Sequence, residues 1–143
     1  MRVLGLDIGS KTIGVAVTDP LGISAQGVGV IRRQGGQHDL DRVAEYAARF
    51  EVERIVYGLP THLDGRESQS SRRARTFAEK LEAHLRLPVE PYDEAFTTRE
   101  AEAVLIAGGV SRKRRKALVD KVAAQRILQG WLDARAATER RTP

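Results

Sequence analysis

Three acidic positions in this 143-residue chain stand where acids are structurally costly. Asp7 directly follows the apolar run Val3 to Leu6 and precedes a glycine turn, so its side chain emerges at a strand end. Asp93-Glu94 closes a proline-flanked strand, and Asp120 lies between Val119 and Val122, close to the apolar face of a helix. A buried carboxylate is costly unless paired, and several converging ones repel one another. A divalent cation relieves both problems. Hard oxygen ligands from strand ends and a facing helix suit Mg²⁺ or Mn²⁺, which keep several waters and take phosphate oxygens from a substrate. Two such ions about 4 Å apart can activate water and stabilise the leaving oxygen of a phosphodiester. Taken singly, each acid has a plainer reading as a turn residue, a helix cap or an ion-pair partner of Lys116 or Lys121. Only their conjunction carries the chemical argument.

The second feature is charge. The chain has 24 Lys plus Arg against 19 Asp plus Glu, a net charge of +5, and no cysteine, which excludes a disulfide scaffold and a cysteine-based zinc site. Residues 1 to 50 contribute +1, residues 51 to 100 contribute −2 and residues 101 to 143 contribute +6. The excess is therefore C-terminal, centred on Arg112-Lys113-Arg114-Arg115-Lys116. Five basic residues at a helix N-terminus oppose the macrodipole, so local helix stability does not explain them. They lie about one helical turn before Asp120, where they could hold phosphates beside a metal. Aromatic residues are 5% of the chain, so backbone contacts rather than base stacking would dominate binding to a nucleic acid.

Other motifs fail on inspection. Gly5 to Thr12 reads GLDIGSKT, one residue from a phosphate-binding loop, but Ser10 replaces the second glycine and the residues that follow form a strand where that loop must open a helix. Lys11 is then a lysine near the carboxylates, with phosphate contact as its functional reading. His38, His62 and His84 have no metal-ligand spacing, although His62 stands in a Pro/Gly loop from which it could reach substrate.

The elements that must position these residues follow from periodicity. Val3 to Leu6, Ile13 to Val17 and Ile23 to Ile31 read as three strands, the first two a hairpin. Leu40, Val43, Ala44, Ala47 and Ala48 recur at helical spacing after Asp39, a plausible N-cap. Arg54 to Gly58 is a strand, about Ser70 to Leu85 a long helix, and Leu87 to Tyr92 a strand near a sheet edge. Thr97 or Thr98 can cap a helix to Ala107, and the last helix covers roughly Arg114 to Ala134. The order β-β-β-α-β-α-β-α-α implies a mixed α/β sheet with helices on its faces. One soluble domain is expected over residues 1–137, with a disordered polar tail at 138–143. No apolar run approaches the ~18 residues of a membrane helix, and a cytoplasmic location is the expectation.

With these motifs in place, the sequence resembles the YqgF/RuvX family, Holliday-junction-resolvase-like members of the ribonuclease H superfamily. The resemblance rests on GLDIGSKTIGVAVTD from Gly5 to Asp19, GLPTHLDG from Gly58 to Gly65, DEAFTT from Asp93 to Thr98 and VDKVAAQRIL from Val119 to Leu128. It implies a ribonuclease H-like five-stranded sheet, three antiparallel strands then two parallel, with Asp7, Glu94 and Asp120 as catalytic carboxylates around Mg²⁺ or Mn²⁺. It also implies a nuclease that trims the 5′ end of precursor 16S ribosomal RNA, Holliday-junction resolution being the other role proposed for the family. The chain departs from the family in Ala95, where arginine is usual, and in His62, where asparagine is common. The missing guanidinium removes a contact to phosphate or ligand and leaves the three acids intact.

Two further readings follow. Resolution of branched DNA by the same chemistry would require a homodimer for two symmetric cuts. A ribosome-assembly factor that binds structured RNA without cutting it would need no metal. An actin-like or sugar-kinase ATPase shares the strand-Asp-Gly start but needs two domains of this size, and 143 residues supply one.

Overall fold

The structure is a computed structural model that describes residues 1–60, 68–94 and 112–141, with the backbone alone for Pro60, Glu94, 112–120 and 139–141. Five strands, β1 (Val3–Ile8), β2 (Thr12–Thr18), β3 (Ala25–Arg32), β4 (Arg54–Pro60) and β5 (Val89–Glu94), form one sheet in the order β3-β2-β1-β4-β5. Antiparallel pairing joins β1, β2 and β3, and parallel pairing joins β1 to β4 and β4 to β5. This is the mixed sheet that the sequence implies. The two crossovers run through helices α1 (Gly36–Arg49) and α2 (Gln69–Leu85), and a 30-residue helix, α3 (Arg112–Arg141), follows. The expected helix at 97–107, the loop at 61–67 and Ala95 lie outside the described residues.

Alternation along β1 divides the core in two. Leu4, Leu6 and Ile8 face α1 and α2, packing with Ile13, Val15 and Ile55 of the sheet and with Val43, Phe77 and Leu81 of the helices. Val3 faces the other way, with Ala16, Val56 and the α3 residues Ala124, Ile127 and Leu128. The central strands are thus apolar on both faces, as strands covered by helices on each side must be. By the same period of two, Gly5 and Asp7 belong to the α3 face.

Glycine decides how closely α3 approaches. A Cβ on Gly5 would meet Leu128 Cβ at 2.7 Å and the Ala124 carbonyl oxygen at 3.3 Å, and one on Gly27 would meet the Lys121 carbonyl oxygen at 3.1 Å. Helix and sheet backbones therefore touch across this row. Gly5→Ala is expected to cost about 1–3 kcal/mol through overpacking, because two backbones and a Cβ must move apart. Chemical denaturation of the variant checks this.

Several boundaries differ from expectation. Helix α1 begins at Gly36, not after Asp39: Gly35 and Gly36 adopt positive φ values of 87° and 52° and turn the chain into the helix, leaving Asp39 inside its first turn. Strand β4 runs to Pro60 and β5 to Glu94, because their parallel ladder continues through Leu59 with Asp93 and Pro60 with Glu94. Helix α3 continues to Arg141, past Thr138 where loss of order is expected, and the Thr138 hydroxyl donates to the Ala134 carbonyl at 3.0 Å. Ala136, Ala137, Glu139, Arg140 and Arg141 form helix readily, so propagation continues until Pro143 is near.

Candidate functional site

Asp7 is the penultimate residue of β1, half-buried on the α3 face. Its neighbour Leu6 pairs with Tyr57, which puts Asp7 level with Gly58 of β4 and, through the next pair, with Tyr92 of β5. Glu94 ends β5 opposite Pro60, two positions beyond Tyr92. Tyr92 packs against the cluster under α3, so the Glu94 position shares the register of that face. Two strand spacings and two residues separate the backbones of Asp7 and Glu94, about 12 Å.

The third acid comes from above. Ala124 and Leu128 lie over Gly5, and Asp120 is one turn earlier on the same ridge of α3. The direction of the helix follows from its contacts. Gln129 Oε1 accepts from the Ala25 N–H at 2.9 Å, near the Val3 end of β1, whereas Lys121 lies over Gly27, level with Gly5. Traced backwards, α3 advances toward the Asp7 end of the sheet. The three sequence-derived acids thus occupy strand ends and a helix turn on one face, while the side chains of Glu94 and Asp120 fall outside what is described. Among the described residues no cluster of three His, Cys, Asp or Glu forms a metal site. Arg112 to Lys116 form the first turns of α3 at this same end, their side chains likewise not described.

Lys11 is exposed in the turn between β1 and β2, directly beyond Asp7 and Ile8. What holds that turn is a network the sequence reading did not anticipate. The Gly9 N–H donates to the Thr12 carbonyl at 2.9 Å, the Arg33 N–H to the Lys11 carbonyl at 2.8 Å, and Arg33 Nη1 to the Gly9 carbonyl at 2.8 Å. Arg33 Nε in turn donates to Asp39 Oδ2 at 3.0 Å, and its guanidinium lies 5.0 Å from the centre of the Phe77 ring. Asp39 is fully buried and accepts further bonds from the backbone N–H groups of Gln34 and Gly35, with His38 Nδ1 3.1 Å away. Burial pushes its carboxyl upward, but the Gln34 N–H, the Arg33 and His38 hydrogen bonds and the Arg33 charge outweigh that and lower it to about 2. Asp39 followed by a helical pattern resembles an N-cap in sequence. The signal that distinguishes the true role is Gly35-Gly36 before it, which moves the helix start forward.

The match to the RuvX family model, described as Holliday junction resolvase, covers residues 1–134. A protein of Symbiobacterium thermophilum named "Putative pre-16S rRNA nuclease" is 49% identical over 96% of this chain and 95% of its own length. One of the same name from Desulforamulus reducens is 45% identical over 95% and 99%. Among solved structures, Thermus thermophilus RuvC in complex with a Holliday junction substrate superposes with a TM-score of 0.57 at 21% identity, covering 96% of this chain and 97% of that one. The fowlpox virus resolvase in complex with a Holliday junction reaches the same TM-score at 10% identity, covering 94% and 98%. At these identities the structures bear on the fold alone, and they share the ribonuclease H-like sheet built here. Sequence match over nearly the full length, together with that sheet, establishes that the chain belongs to the RuvX family of resolvase-like nucleases.

Proposed function

We propose that this nuclease processes the 5′ end of precursor 16S ribosomal RNA, with Asp7, Glu94 and Asp120 holding Mg²⁺ or Mn²⁺ and with Lys11 and Arg112, Lys113, Arg114, Arg115 and Lys116 holding the RNA backbone. The carrying observation is the position of Asp7: a half-buried carboxylate at the end of a central strand, on the face where α3 approaches and in register with the Glu94 end of β5. The names of the two bacterial relatives support the RNA substrate. Hard carboxylate oxygens at strand ends fit a small divalent cation. When bound, such a cation lowers the pKa of water and stabilises charge on phosphodiester oxygens. The chain's own part is to set carboxylates at fixed strand and helix positions and to draw the polyanion toward them with the basic start of α3.

The family description favours a second reading, branched DNA, with two copies of the chain making paired cuts. The test is parallel digestion, by one preparation with Mn²⁺, of a 5′-extended 16S precursor fragment and a four-way DNA junction, with calorimetry of Mn²⁺ uptake. RNA processing at the 5′ side is expected to be the faster reaction. Cutting of the junction alone would replace the RNA reading with the resolvase one. RNA bound intact, with no Mn²⁺ taken up, would leave a non-catalytic assembly factor.

A further inference from the structure

On the sheet face opposite α3, helices α1 and α2 enclose a groove of about 630 Å³. Arg33, Arg72, Arg73 and Lys80 line it together with Gln37 and Leu40, and among the described residues no carboxylate lines it. Among the described residues neither Arg72, Arg73 nor Lys80 has an acidic partner. The nearby acid Asp41 is engaged by Gln37 at 2.9 Å and lies 3.3 Å from His84. On α2 the lining positions 69, 72, 73, 76 and 80 follow helical spacing, so they form one stripe about 16 Å long.

The groove opens at the same edge of the sheet as Asp7. Strand β3 runs parallel to β1, being antiparallel to β2, so α1, which follows β3, starts at the end where Asp7 lies. Helix α2 follows β4, which is also parallel to β1, and starts there too. Lys11 and the Arg33 guanidinium, bonded to the Gly9 carbonyl, mark the path between them. A cleft of this length with cations and neutral donors suits several phosphates in succession. Among the described lining residues the one aromatic ring, Phe77, is buried and faced by Arg33, so it offers a base no free face for stacking.

Resting on the nuclease reading, we propose that the α1/α2 groove binds the sugar-phosphate backbone of the RNA flanking the scissile bond, without regard to base sequence. It extends the substrate path from the carboxylates, over the β1–β2 turn, onto the far face of the sheet. Removing two or three phosphate contacts lowers both affinity and its salt dependence.

The test uses the exposed Arg72 and Lys80 with the half-buried Arg73, leaving the structural Arg33 intact. A variant carrying Arg72→Ala, Arg73→Ala and Lys80→Ala is compared with one carrying Arg42→Ala, Arg49→Ala and Arg135→Ala, which loses the same charge away from the groove. Anisotropy of a labelled 5′-extended precursor hairpin is measured in EDTA from low to moderate salt. The groove variant is expected to bind at least about tenfold more weakly, with a slope of log K against log salt smaller by about 2. Its thermal midpoint and its cleavage of an RNA too short to reach the groove should stay at wild-type values. Equal losses in both variants, or none in the groove variant, overturn the proposal. If the wild type binds the hairpin through these residues but never cuts it, the nuclease reading fails while the groove stands. If the wild type cuts and the groove variant binds as tightly, the groove alone fails. If the wild type binds no RNA, both fall.

Discussion

Asp7→Asn is expected to lower the rate of phosphodiester cleavage at least about 10³-fold, roughly 4 kcal/mol of transition-state stabilisation. Asparagine has the shape of aspartate and keeps one carbonyl oxygen, so the change isolates charge. A neutral amide attracts a divalent cation far less strongly than a carboxylate, and it competes less well with the water that such ions hold. Position explains the size of the effect. Asp7 is half-buried at the end of a central strand with helix α3 above it, where a charge is less screened than on the open surface. The fold should tolerate the change, since the variant removes one of several acids assigned to the same sheet edge and their mutual repulsion falls. Single-turnover cleavage of the precursor fragment and a thermal melt together decide the matter. A variant that cuts at the wild-type rate would remove Asp7 from the chemistry.

The second large effect is on stability. Asp39→Ala is expected to cost about 3–5 kcal/mol, because it strands the Arg33 guanidinium, 16% exposed, without its counter-charge and leaves the Gln34 and Gly35 N–H groups without their acceptor. The damage should reach the site. Arg33 holds the Gly9 carbonyl in the turn that follows Asp7, so the variant should also lose activity near its melting range. The pH dependence has a definite sign. The Asp39 carboxyl titrates at about 2 in the folded protein against 3.8 for the free side chain, so its charged form is favoured by folding. At 1.36 kcal/mol per pKa unit this contributes about 2 kcal/mol, complete above pH ~4 and lost as the pH falls toward about 2. Denaturation of wild type and variant at neutral pH and at pH 2 should show the gap between them narrowing in acid. A gap independent of pH would remove the charge from the account.

The strands and helices were legible because their signals are local. Leu4, Leu6 and Ile8 alternate against Val3, Gly5 and Asp7, and an acid in such a pattern stands out before any fold is known. Ala74, Phe77, Ala78 and Leu81 show the buried stripe of α2 in the same way. The role of Asp39 was not legible, because an acid before a helical pattern looks alike whether it caps the helix or reaches back to an arginine six residues earlier. Gly35-Gly36 shifted the helix start, and only pairing across the sheet brought Arg33 to Gly9.

Charge shows the same division. Counted along the chain, residues 51 to 100 are net acidic and the positive excess belongs to the last third. In three dimensions Arg72, Arg73 and Lys80 gather on one side of α2 with Arg33 from the end of β3, and a basic groove appears inside an acidic segment. A linear sum cannot show this, because helical spacing sorts neighbours onto different faces and the crossover brings residues from separate segments together. The sequence by itself determined the order of the described elements, the family and three acids at distinctive positions, since each is encoded in residue type and short-range period. Tertiary structure alone decided that Asp7 and Glu94 end their strands at one sheet edge, how closely α3 approaches at Gly5, and that a cationic groove reaches the same edge on the opposite face. Those depend on strand order and on helix-to-sheet contact between residues far apart in the chain.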